Sequence, residues 1–268
     1  MPGRKAVILA RGLGSRMRRS VDGVDLDPAQ QQAADAGVKA MISVGRPFLD
    51  HVISDLADAG FTDVCLVLGP EHDAVREYYD TLPLTRVTVS YAIQPDPLGT
   101  ADALAAAEAF AAGERVLMIN SDNFYPAHAV ARLRDVPGSG TLGFARDALV
   151  AHSNIPADRV AAYAVLDVFD GVLTGIIEKP DADTLARFGD HALVSMNCWL
   201  FEASIFDAIA RTGLSPRGEY EIVDAVRLQL GEGVRFDVVP VEAGVLDLSS
   251  RGDIAAVADA LRGHEVRL

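Results

Sequence analysis

Hydrophobic runs of strand length alternate with stretches of helical periodicity over the first half of the chain. This alternation predicts a parallel sheet whose strands are joined by crossover helices. The predicted strands are 6–10, 64–68, 87–91 and 116–119, and the predicted helices are 47–60, 71–79 and 100–111. Pro47 and Gly60 bound the first of these helices, as expected for a first-turn proline and a terminal glycine.

The second half has a different pattern, with longer apolar runs that predict strands at 161–168, 172–178 and 193–201. Asp170-Gly171 predicts a hairpin turn between the first two. Helices are predicted at 203–211 and 220–230. The fold class is therefore a Rossmann-like α/β fold, a mostly parallel mixed sheet flanked by helices, with a smaller β-rich elaboration in the second half. No linker separates the halves, so we predict a single domain over residues 1–268, with halves of about 1–125 and about 126–268.

Composition limits the cellular setting. Half of the 268 residues are hydrophobic, yet none of the apolar runs approaches the roughly 20 residues that span a bilayer. The first apolar run is too short and too early for a signal peptide, so a cytoplasmic location with no membrane partner is expected. Cys65 and Cys198 lie in apolar runs and are predicted to be buried core thiols, not redox or metal groups.

The formal net charge of −14 argues against a nucleic-acid or anionic-membrane partner, because repulsion would oppose their approach. The distribution of charge is uneven, however. Six basic residues precede the first acidic residue, Asp22: Arg4, Lys5, Arg11, Arg16, Arg18 and Arg19. An acidic protein with one basic corner suits a small anionic ligand.

The first strand is followed directly by a glycine turn, Gly12-Leu-Gly-Ser-Arg16. Glycine allows a tight turn and a close approach to a ligand, and free N–H groups beside arginines favour phosphate. The turn is not a P-loop, because no Lys-Ser or Lys-Thr pair follows, and Met17 stands where a dinucleotide fingerprint has its third glycine. A plain strand-to-helix turn with solvated arginines remains an alternative.

Six further stretches combine with this turn in a characteristic order. They are Lys39-Ala-Met-Ile-Ser-Val-Gly-Arg-Pro47, Gln94-Pro-Asp-Pro-Leu-Gly-Thr-Ala-Asp-Ala-Leu104, Asn120-Ser-Asp-Asn123, Ile177-Glu-Lys-Pro180, Gly218-Glu-Tyr-Glu-Ile-Val-Asp224 and Asp247-Leu-Ser-Ser-Arg-Gly-Asp-Ile254. Over nearly its whole length the chain resembles the nucleotidyltransferases that join a nucleoside triphosphate (NTP) to a sugar 1-phosphate. The resemblance implies in-line attack of the sugar phosphate on the α-phosphorus, release of pyrophosphate, and an NDP-sugar as product.

The resemblance also implies site residues. Those expected to bind the nucleotide are Ala10, Gly12, Leu13, Gly14, Ser15, Arg16, Gln94, Gly99 and Thr100. Gln94 and Gly99 match the base-reading segment, in which a glutamine amide can both donate to and accept from a base edge. Thr100-Ala-Asp102 resembles purine-using members slightly more than thymidine-using ones, which does not assign the base.

The catalytic residues implied in this way are Arg16, Lys39 and Lys179. Asp122 and Asp247 match the two aspartates that hold Mg²⁺, the expected cofactor. The residues expected around the sugar phosphate are Asp122, Tyr163, Glu178, Lys179 and Asn197. Simpler roles remain open for several of them: a strand-end or capping aspartate for Asp122, a loop carboxylate for Asp247, and a satisfied core amide for Asn197.

The chain departs from the family pattern in three places. Arg11 replaces a small residue, Ala164 replaces the glycine after Tyr163, and the interval from Arg16 to Lys39 is long enough for a lid or an unusual contact surface. The acceptor therefore stays open among sugar, aminosugar, cyclitol and other phosphorylated alcohols. No hexapeptide-repeat tail follows Leu268, so acetyltransferase activity is not expected, and a homo-oligomer is left open.

Two other classes of protein compete with this interpretation. A glycosyltransferase using a nucleotide sugar would want an Asp-x-Asp motif after the central strand, where this chain has Ser121-Asp-Asn123. A non-catalytic regulator that binds nucleotides or sugar phosphates should have lost Arg16 or the aspartates, and both are retained.

Overall fold

A computed structural model describes residues 3–19, 26–189 and 191–268. Within these residues, nine strands form one mixed sheet and two short strands form a second sheet. The strands are β1 (Lys5–Leu9), β2 (Asp63–Leu68), β3 (Thr88–Ile93), β4 (Val116–Asn120), β5 (Asn123–Phe124), β6 (Ser139–Ala145), β7 (Val165–Phe169), β8 (Val172–Ile177), β9 (Leu193–Phe201), β10 (Phe236–Val241) and β11 (Leu246–Asp247). The order in the large sheet is β3-β2-β1-β4-β9-β6-β10-β8-β7.

The first four strands of the large sheet run parallel, as the alternating pattern predicts. Lys5 on β1 pairs in register with Asp63 on β2 and with Val116 on β4. The antiparallel strand β9 separates β4 from β6, and β6 and β10 resume the direction of the first four strands. The carboxyl ends of β1, β3 and β4 therefore meet at one edge, which is where such sheets bind ligands.

Helices cover both faces of this sheet. They are α1 (Ser15–Arg18), α2 (Pro28–Ala36), α3 (Phe48–Asp58), α4 (Asp73–Thr81), α5 (Thr100–Ala105), α6 (Glu108–Ala111), α7 (Ala127–Arg134), α8 (Arg146–His152), α9 (Ala157–Ala161), α10 (Ala182–Phe188), α11 (Ser204–Arg211), α12 (Ile222–Gly231) and α13 (Ile254–Ala260). Short 3₁₀ turns occupy Lys39–Met41 and Arg251–Asp253. Among the described residues, no helix is both long and apolar enough to cross a bilayer.

Alternate residues of each buried strand point into two separate cores. On β1, Ala6 and Ile8 join the core beneath α3, α7 and α13, whereas Val7 joins the core beneath α5, α11 and α12. This three-layer arrangement explains why the strands read as continuous apolar runs. Cys65 and Cys198 are free and fully buried, and burial raises the pKa of the Cys65 thiol to about 11. Both are core thiols, as predicted.

Several predicted boundaries are wrong. The helix expected over 100–111 is two helices, α5 and α6, because the chain turns at Ala106 and Ala107. The strand expected from Ala161 begins at Val165, and Ala161 itself ends α9. Asp170 and Gly171 do form the hairpin turn, with φ of 50° and 72°, between β7 and β8.

The interval between Arg16 and Lys39 contains a helix, α2, in place of the loop suggested by its length. Residues 20–25 of that interval lie outside the described part of the chain. Asp27 caps α2 by accepting from the Gln30 amide nitrogen at 2.8 Å, and Pro28 occupies the first turn. Gln30 also donates to the Ser43 carbonyl at 2.8 Å, which ties α2 to the body of the protein.

The small sheet brings together two distant parts of the chain. β5 and β11 pair antiparallel, with Asp247 opposite Asn123. The Leu248 amide also donates to the Asp122 carbonyl at 2.8 Å. These backbone bonds hold Asp122 beside Asp247.

Candidate active site

A cavity of about 380 Å³ opens at the carboxyl edge of β1, β3 and β4. Its walls combine the glycine turn, the segment after β3, the end of β4 and the 3₁₀ turn at Lys39–Met41. The predicted residues that line it are Ala10, Gly12, Leu13, Ser15, Lys39, Gln94, Gly99, Thr100 and Asp122. The structure therefore brings most of the expected nucleotide-binding residues to one cavity.

Gly14 and Arg16 have different positions from the rest of this set. Gly14 is buried with φ 58° and shapes the turn from behind, where a Cβ would overlap the backbone of Gly37. Arg16 lies on α1, exposed and outside the cavity lining. Its charge nevertheless reaches Tyr163, where it opposes the burial that raises the pKa of the tyrosine hydroxyl.

Arg11, the departure noted in the turn, folds back against the base-reading segment. Only 8 % of the residue is exposed, and its guanidinium donates to the carbonyls of Gln94 at 3.1 Å and Pro95 at 3.3 Å. It also pairs with Glu71 at 2.7 Å. Arg11 thus fastens the segment after β3 to the glycine turn.

The segment after β3 that resembles a base-reading segment, residues 94–102, is held in one orientation. The Gln94 amide donates to the Gly99 carbonyl at 3.1 Å and to Asp102 Oδ2 at 2.7 Å. Since both partners are acceptors, Nε2 must face them, and Oε1 is the atom left to accept from a ligand. Gly99 has φ 116°, and a Cβ there would overlap the backbone of Tyr220.

The same segment is joined to the second half of the chain. The Tyr220 amide donates to the Leu98 carbonyl at 2.7 Å, and the Ala101 amide donates to the Tyr220 carbonyl at 2.9 Å. The Ile222 amide donates to Thr100 Oγ1 at 2.9 Å. The stretch 218–224 therefore supports the base-reading segment from behind.

Asp122 follows β4 and faces Lys39. Lys39 Nζ lies 2.7 Å from Asp122 Oδ2, and both side chains are largely buried. This ion pair lines the cavity and places one cation and one carboxylate where the resemblance expects the phosphates.

Asp247 is more buried, with 4 % of the residue exposed. Its Oδ1 accepts from Asn123 Nδ2 and from Ser249 Oγ, each at 3.0 Å, and its Oδ2 pairs with Arg159 at 2.6 Å. Burial, followed by repulsion from Asp122, raises the pKa of Asp247 above its ordinary value, and Arg159 opposes that rise. The two carboxylates are therefore close enough to repel each other electrostatically.

The donor set fits Mg²⁺. Magnesium in proteins is commonly held by one or two carboxylates, with phosphate and water oxygens completing an octahedron. Asp122 and Asp247 supply two hard carboxylates that repel each other, which a divalent cation would relieve. No group of three His, Cys, Asp or Glu side chains that could hold a metal occurs among residues 3–19, 26–189 and 191–268.

A second cavity, of about 280 Å³, lies beside the first and shares Thr100 and Glu219 with it. Four residues predicted to bind the sugar phosphate line it: Tyr163, Glu178, Lys179 and Asn197. Lys179 and Asn197 have φ of 45° and 55°, the left-handed region that non-glycine residues rarely adopt. Such backbone geometry is concentrated at binding sites, where the surrounding structure imposes it.

The sequence assigned no role to several polar residues of the site. Arg159, Asn123, Asn154 and Ser249 surround Asp247, and each comes from a different segment. Glu178 is paired with Arg227 of α12 at 3.1 Å. The wall shared by the two cavities includes Glu219, within a stretch that resemblance had marked without assigning it a role.

Comparison with known proteins adds an independent finding. The family model described as nucleotidyl transferase matches residues 5–241. Low-salt glycan biosynthesis nucleotidyltransferase Agl11 of Haloferax volcanii is 30 % identical over 255 residues, covering 93 % of this chain and 64 % of that protein. UTP–glucose-1-phosphate uridylyltransferase AglF of the same organism is 28 % identical over 249 residues, covering 91 % and 90 % of the two chains.

Solved structures show the same fold. A UDP-glucose pyrophosphorylase from Acinetobacter baumanii superimposes with a TM-score of 0.74 at 18 % identity, covering 98 % of this chain and 95 % of that chain. The similarity covers nearly the full length of both chains, so the Rossmann-like mixed α/β fold is confirmed.

Proposed function

The chain belongs to the nucleotidyl transferase family, and from that premise we propose that it transfers a nucleoside monophosphate from an NTP to a sugar 1-phosphate. The observation that carries the proposal is the pair of adjacent cavities. One is lined by the glycine turn and the base-reading segment, and the other by Tyr163, Lys179 and Asn197. Their shared wall would let two phosphorylated ligands meet.

In the proposed reaction, an oxygen of the sugar phosphate attacks the α-phosphorus of the NTP. The new P–O bond forms as the bond from the α-phosphorus to the β-bridging oxygen breaks, and pyrophosphate leaves. A phosphate monoester has its second pKa near 6, so the nucleophile is mostly dianionic at neutral pH. A general base is therefore not needed.

The principal barrier is repulsion between anions. Two like unit charges at about 4 Å repel by roughly 4 kcal/mol at an effective dielectric of 20. Each cavity contains a lysine that can offset this repulsion: Lys39 lines the first cavity and Lys179 lines the second. Arg16, on the exposed face of α1, is proposed to close over the outer phosphates, where its planar fork suits bidentate contacts.

Asp122 and Asp247 are proposed to hold Mg²⁺, which when bound would neutralise phosphate charge and align the reacting groups. The residues around Asp247 keep its carboxylate in place for that purpose. Asn123 and Ser249 fix Oδ1, while Asn154 binds the backbone N–H and C=O of Asp247, each at 2.8 Å.

The acceptor and the base are not assigned. AglF, by its name, uses UTP and glucose 1-phosphate. Here Ala164 lines the second cavity in place of the family glycine, which narrows the acceptor site, so a cyclitol or another phosphorylated alcohol stays an alternative. The division into nucleotide and acceptor halves, the cytoplasmic location and a homo-oligomer stay predictions.

The test is a matrix of NTPs against sugar 1-phosphates and cyclitol phosphates, read out as pyrophosphate release with Mg²⁺. We expect turnover for at least one pair, and its loss in excess EDTA and in Asp122→Asn. Arg235→Ala, which changes a surface ion pair with Asp237, serves as the control that keeps activity. Undiminished turnover in EDTA would exclude the metal role, and no pyrophosphate from any pair would exclude the proposed reaction.

A further inference from the structure

Each of the two site carboxylates is neutralised by a cation from a separate segment. Lys39 pairs with Asp122 Oδ2 at 2.7 Å, and Arg159 of α9 pairs with Asp247 Oδ2 at 2.6 Å. The four groups form a charge-balanced quartet. Lys39 is accounted for by the proposed phosphate binding, whereas Arg159 has no role so far.

The Asp247 carboxylate does not depend on Arg159 for its position. Asn123 and Ser249 hold Oδ1, and the two Asn154 bonds hold the backbone. Arg159 by contrast comes from a five-residue helix, and 27 % of its side chain is exposed. The other two side chains on the carboxylate, Asn123 and Ser249, are only 4 % and 2 % exposed, so Arg159 is the carboxylate partner with room to move.

Arg159 is not itself a lining residue of the acceptor cavity, but it lies one helical turn before Tyr163, which is. Its side chain lies close enough to Tyr163, a residue of that cavity, to oppose the rise that burial and Asp247 impose on the tyrosine pKa. A guanidinium released from Asp247 would approach this cavity from the side of Tyr163. A guanidinium stays charged at any pH the protein experiences, so a released Arg159 needs an anionic partner.

We propose that Arg159 is a displaceable cation: it neutralises Asp247 in the metal-free protein and turns to the acceptor phosphate when that carboxylate binds a divalent cation. The inference rests on the proposed function for the identity of the phosphate. The first part of the inference, competition between Arg159 and a metal ion for Asp247, does not depend on that function. Arg159 and the metal compete for Asp247 Oδ2, so each weakens the binding of the other.

A purely structural salt bridge makes the opposite prediction. If Arg159 served to hold Asp247 in place, removing it would loosen the carboxylate and weaken metal binding. If Arg159 is a competitor, removing it strengthens metal binding. The sign of the change separates the two roles.

The experiment measures Mn²⁺ binding to the full-length protein without substrates, by electron paramagnetic resonance of free Mn²⁺. Arg159→Met and Arg159→Gln remove the charge, and Gln keeps a donor for Asp247. We expect both to bind Mn²⁺ at least about threefold more tightly than wild type, the scale of one lost partly exposed ion pair. Arg159→Lys should stay near wild type.

Arg235→Met is the matched control, because it removes one positive charge from a surface ion pair. Arg235 directly precedes β10 and so lies at the amino ends of the strands, opposite the carboxyl ends that carry the site. This variant should leave Mn²⁺ affinity unchanged. In turnover assays, Arg159→Met should raise the KM for the sugar phosphate and leave the KM for the NTP nearly unchanged.

Unchanged or weaker Mn²⁺ binding in both Arg159→Met and Arg159→Gln would overturn the inference. So would no detectable binding in wild type and in both variants, whereas binding seen only in the variants would support it. These outcomes do not depend on turnover. An enzyme that releases pyrophosphate with Mg²⁺ while the Arg159 variants bind Mn²⁺ like wild type would keep the proposed function and lose this inference.

Discussion

A Cβ built on Gly14 would overlap the carbonyl oxygen of Gly37. The glycine turn and the end of α2 therefore touch backbone to backbone. Arg18 strengthens the contact by donating to the Ala36 carbonyl at 2.8 Å, and Arg251 donates to the Met17 carbonyl at 2.8 Å. The turn is thus positioned by α2 on one side and by the segment after Asp247 on the other.

Gly14→Ala should destabilise the protein and distort the cavity beside the glycine turn. Alanine at φ 58° costs about 1–2 kcal/mol, and the overlap with Gly37 adds an overpacking cost of about 1–3 kcal/mol. Urea unfolding should show the sum. Gly113→Ala is the matched control, because Gly113 has φ 79° with open space around it and so carries the backbone cost alone. Equal losses in the two variants would show that the contact with Gly37 is not tight.

The parallel core of the fold is predictable because its signals are local. β1, β2 and β4 are buried on both faces and read as continuous apolar runs. β6 is buried at every position as well, yet its sequence, Ser-Gly-Thr-Leu-Gly-Phe-Ala, has too few apolar residues to stand out. Gly140 and Gly143 are there because neighbouring strands and side chains leave no room for a Cβ.

The site residues also fall into two groups, those that the sequence identifies directly and those that only the fold brings together. The turn from Ala10 to Ser15 is contiguous, so the sequence identifies it directly. Asp247 could be named only by resemblance, since 124 residues separate it from the Asn123 that it contacts. Arg159 lacked even that signal: one arginine in a short alanine-rich helix is ordinary, and only the folded chain shows which carboxylate it contacts.

Acidification should destabilise the protein through His51. His51 Nδ1 lies 3.0 Å from His264 Nδ1, and burial, followed by the His264 charge, lowers the pKa of His51 below its ordinary value of 6.5. Asp50 opposes this shift, Arg46 adds to it, and Asp55 faces His264 at 2.8 Å. A depressed histidine pKa means that the unfolded chain binds the proton more readily.

The stability that neutral His51 contributes is therefore complete above pH 6.5 and is lost as pH falls through the lowered pKa. Urea unfolding between about pH 5 and 7 should show a free energy of unfolding that falls as the pH is lowered, by at most about 1.4 kcal/mol per pH unit for one proton. His51→Asn should flatten that slope, although His72, whose pKa burial also lowers, leaves a remainder. His191→Asn, at an exposed histidine, should retain the full slope. A His51→Asn slope equal to wild type would contradict this account.

Lys179→Gly should weaken binding of the acceptor sugar phosphate and leave binding of the NTP nearly unchanged. Glycine suits the left-handed backbone of Lys179, so the change removes the charge without adding strain. Loss of a charge-assisted hydrogen bond of about 1.5–3 kcal/mol should raise the KM for the sugar phosphate by about tenfold or more, with little change in NTP binding. Asp170→Gly, at the left-handed hairpin residue, controls for added backbone freedom. Equal losses for both substrates would end the assignment of one ligand to each cavity.

Asp102 should set the orientation of the Gln94 side-chain amide and, through it, the discrimination among NTPs. Its carboxylate accepts from Gln94 Nε2 at 2.7 Å, which leaves Oε1 to accept from a base N–H. Asp102→Asn gives Gln94 a partner that can donate as well as accept, so the Gln94 amide can turn over. We expect kcat/KM for the preferred NTP to fall by about tenfold, the effect of losing a hydrogen bond to a charged group, and discrimination among NTPs to weaken.

Asp102→Leu distinguishes orientation from simple binding. It removes the partner altogether, so NTP affinity should fall while the Gly99 carbonyl still favours the original Gln94 orientation. Discrimination should then survive better in Asp102→Leu than in Asp102→Asn, with the KM for the sugar phosphate unchanged in both. Steady-state kinetics with four NTPs at saturating acceptor measures this. If Asp102→Asn discriminates as sharply as wild type, the orientation of Gln94 is set elsewhere, and Arg11, which holds the Gln94 and Pro95 carbonyls, becomes the residue to change.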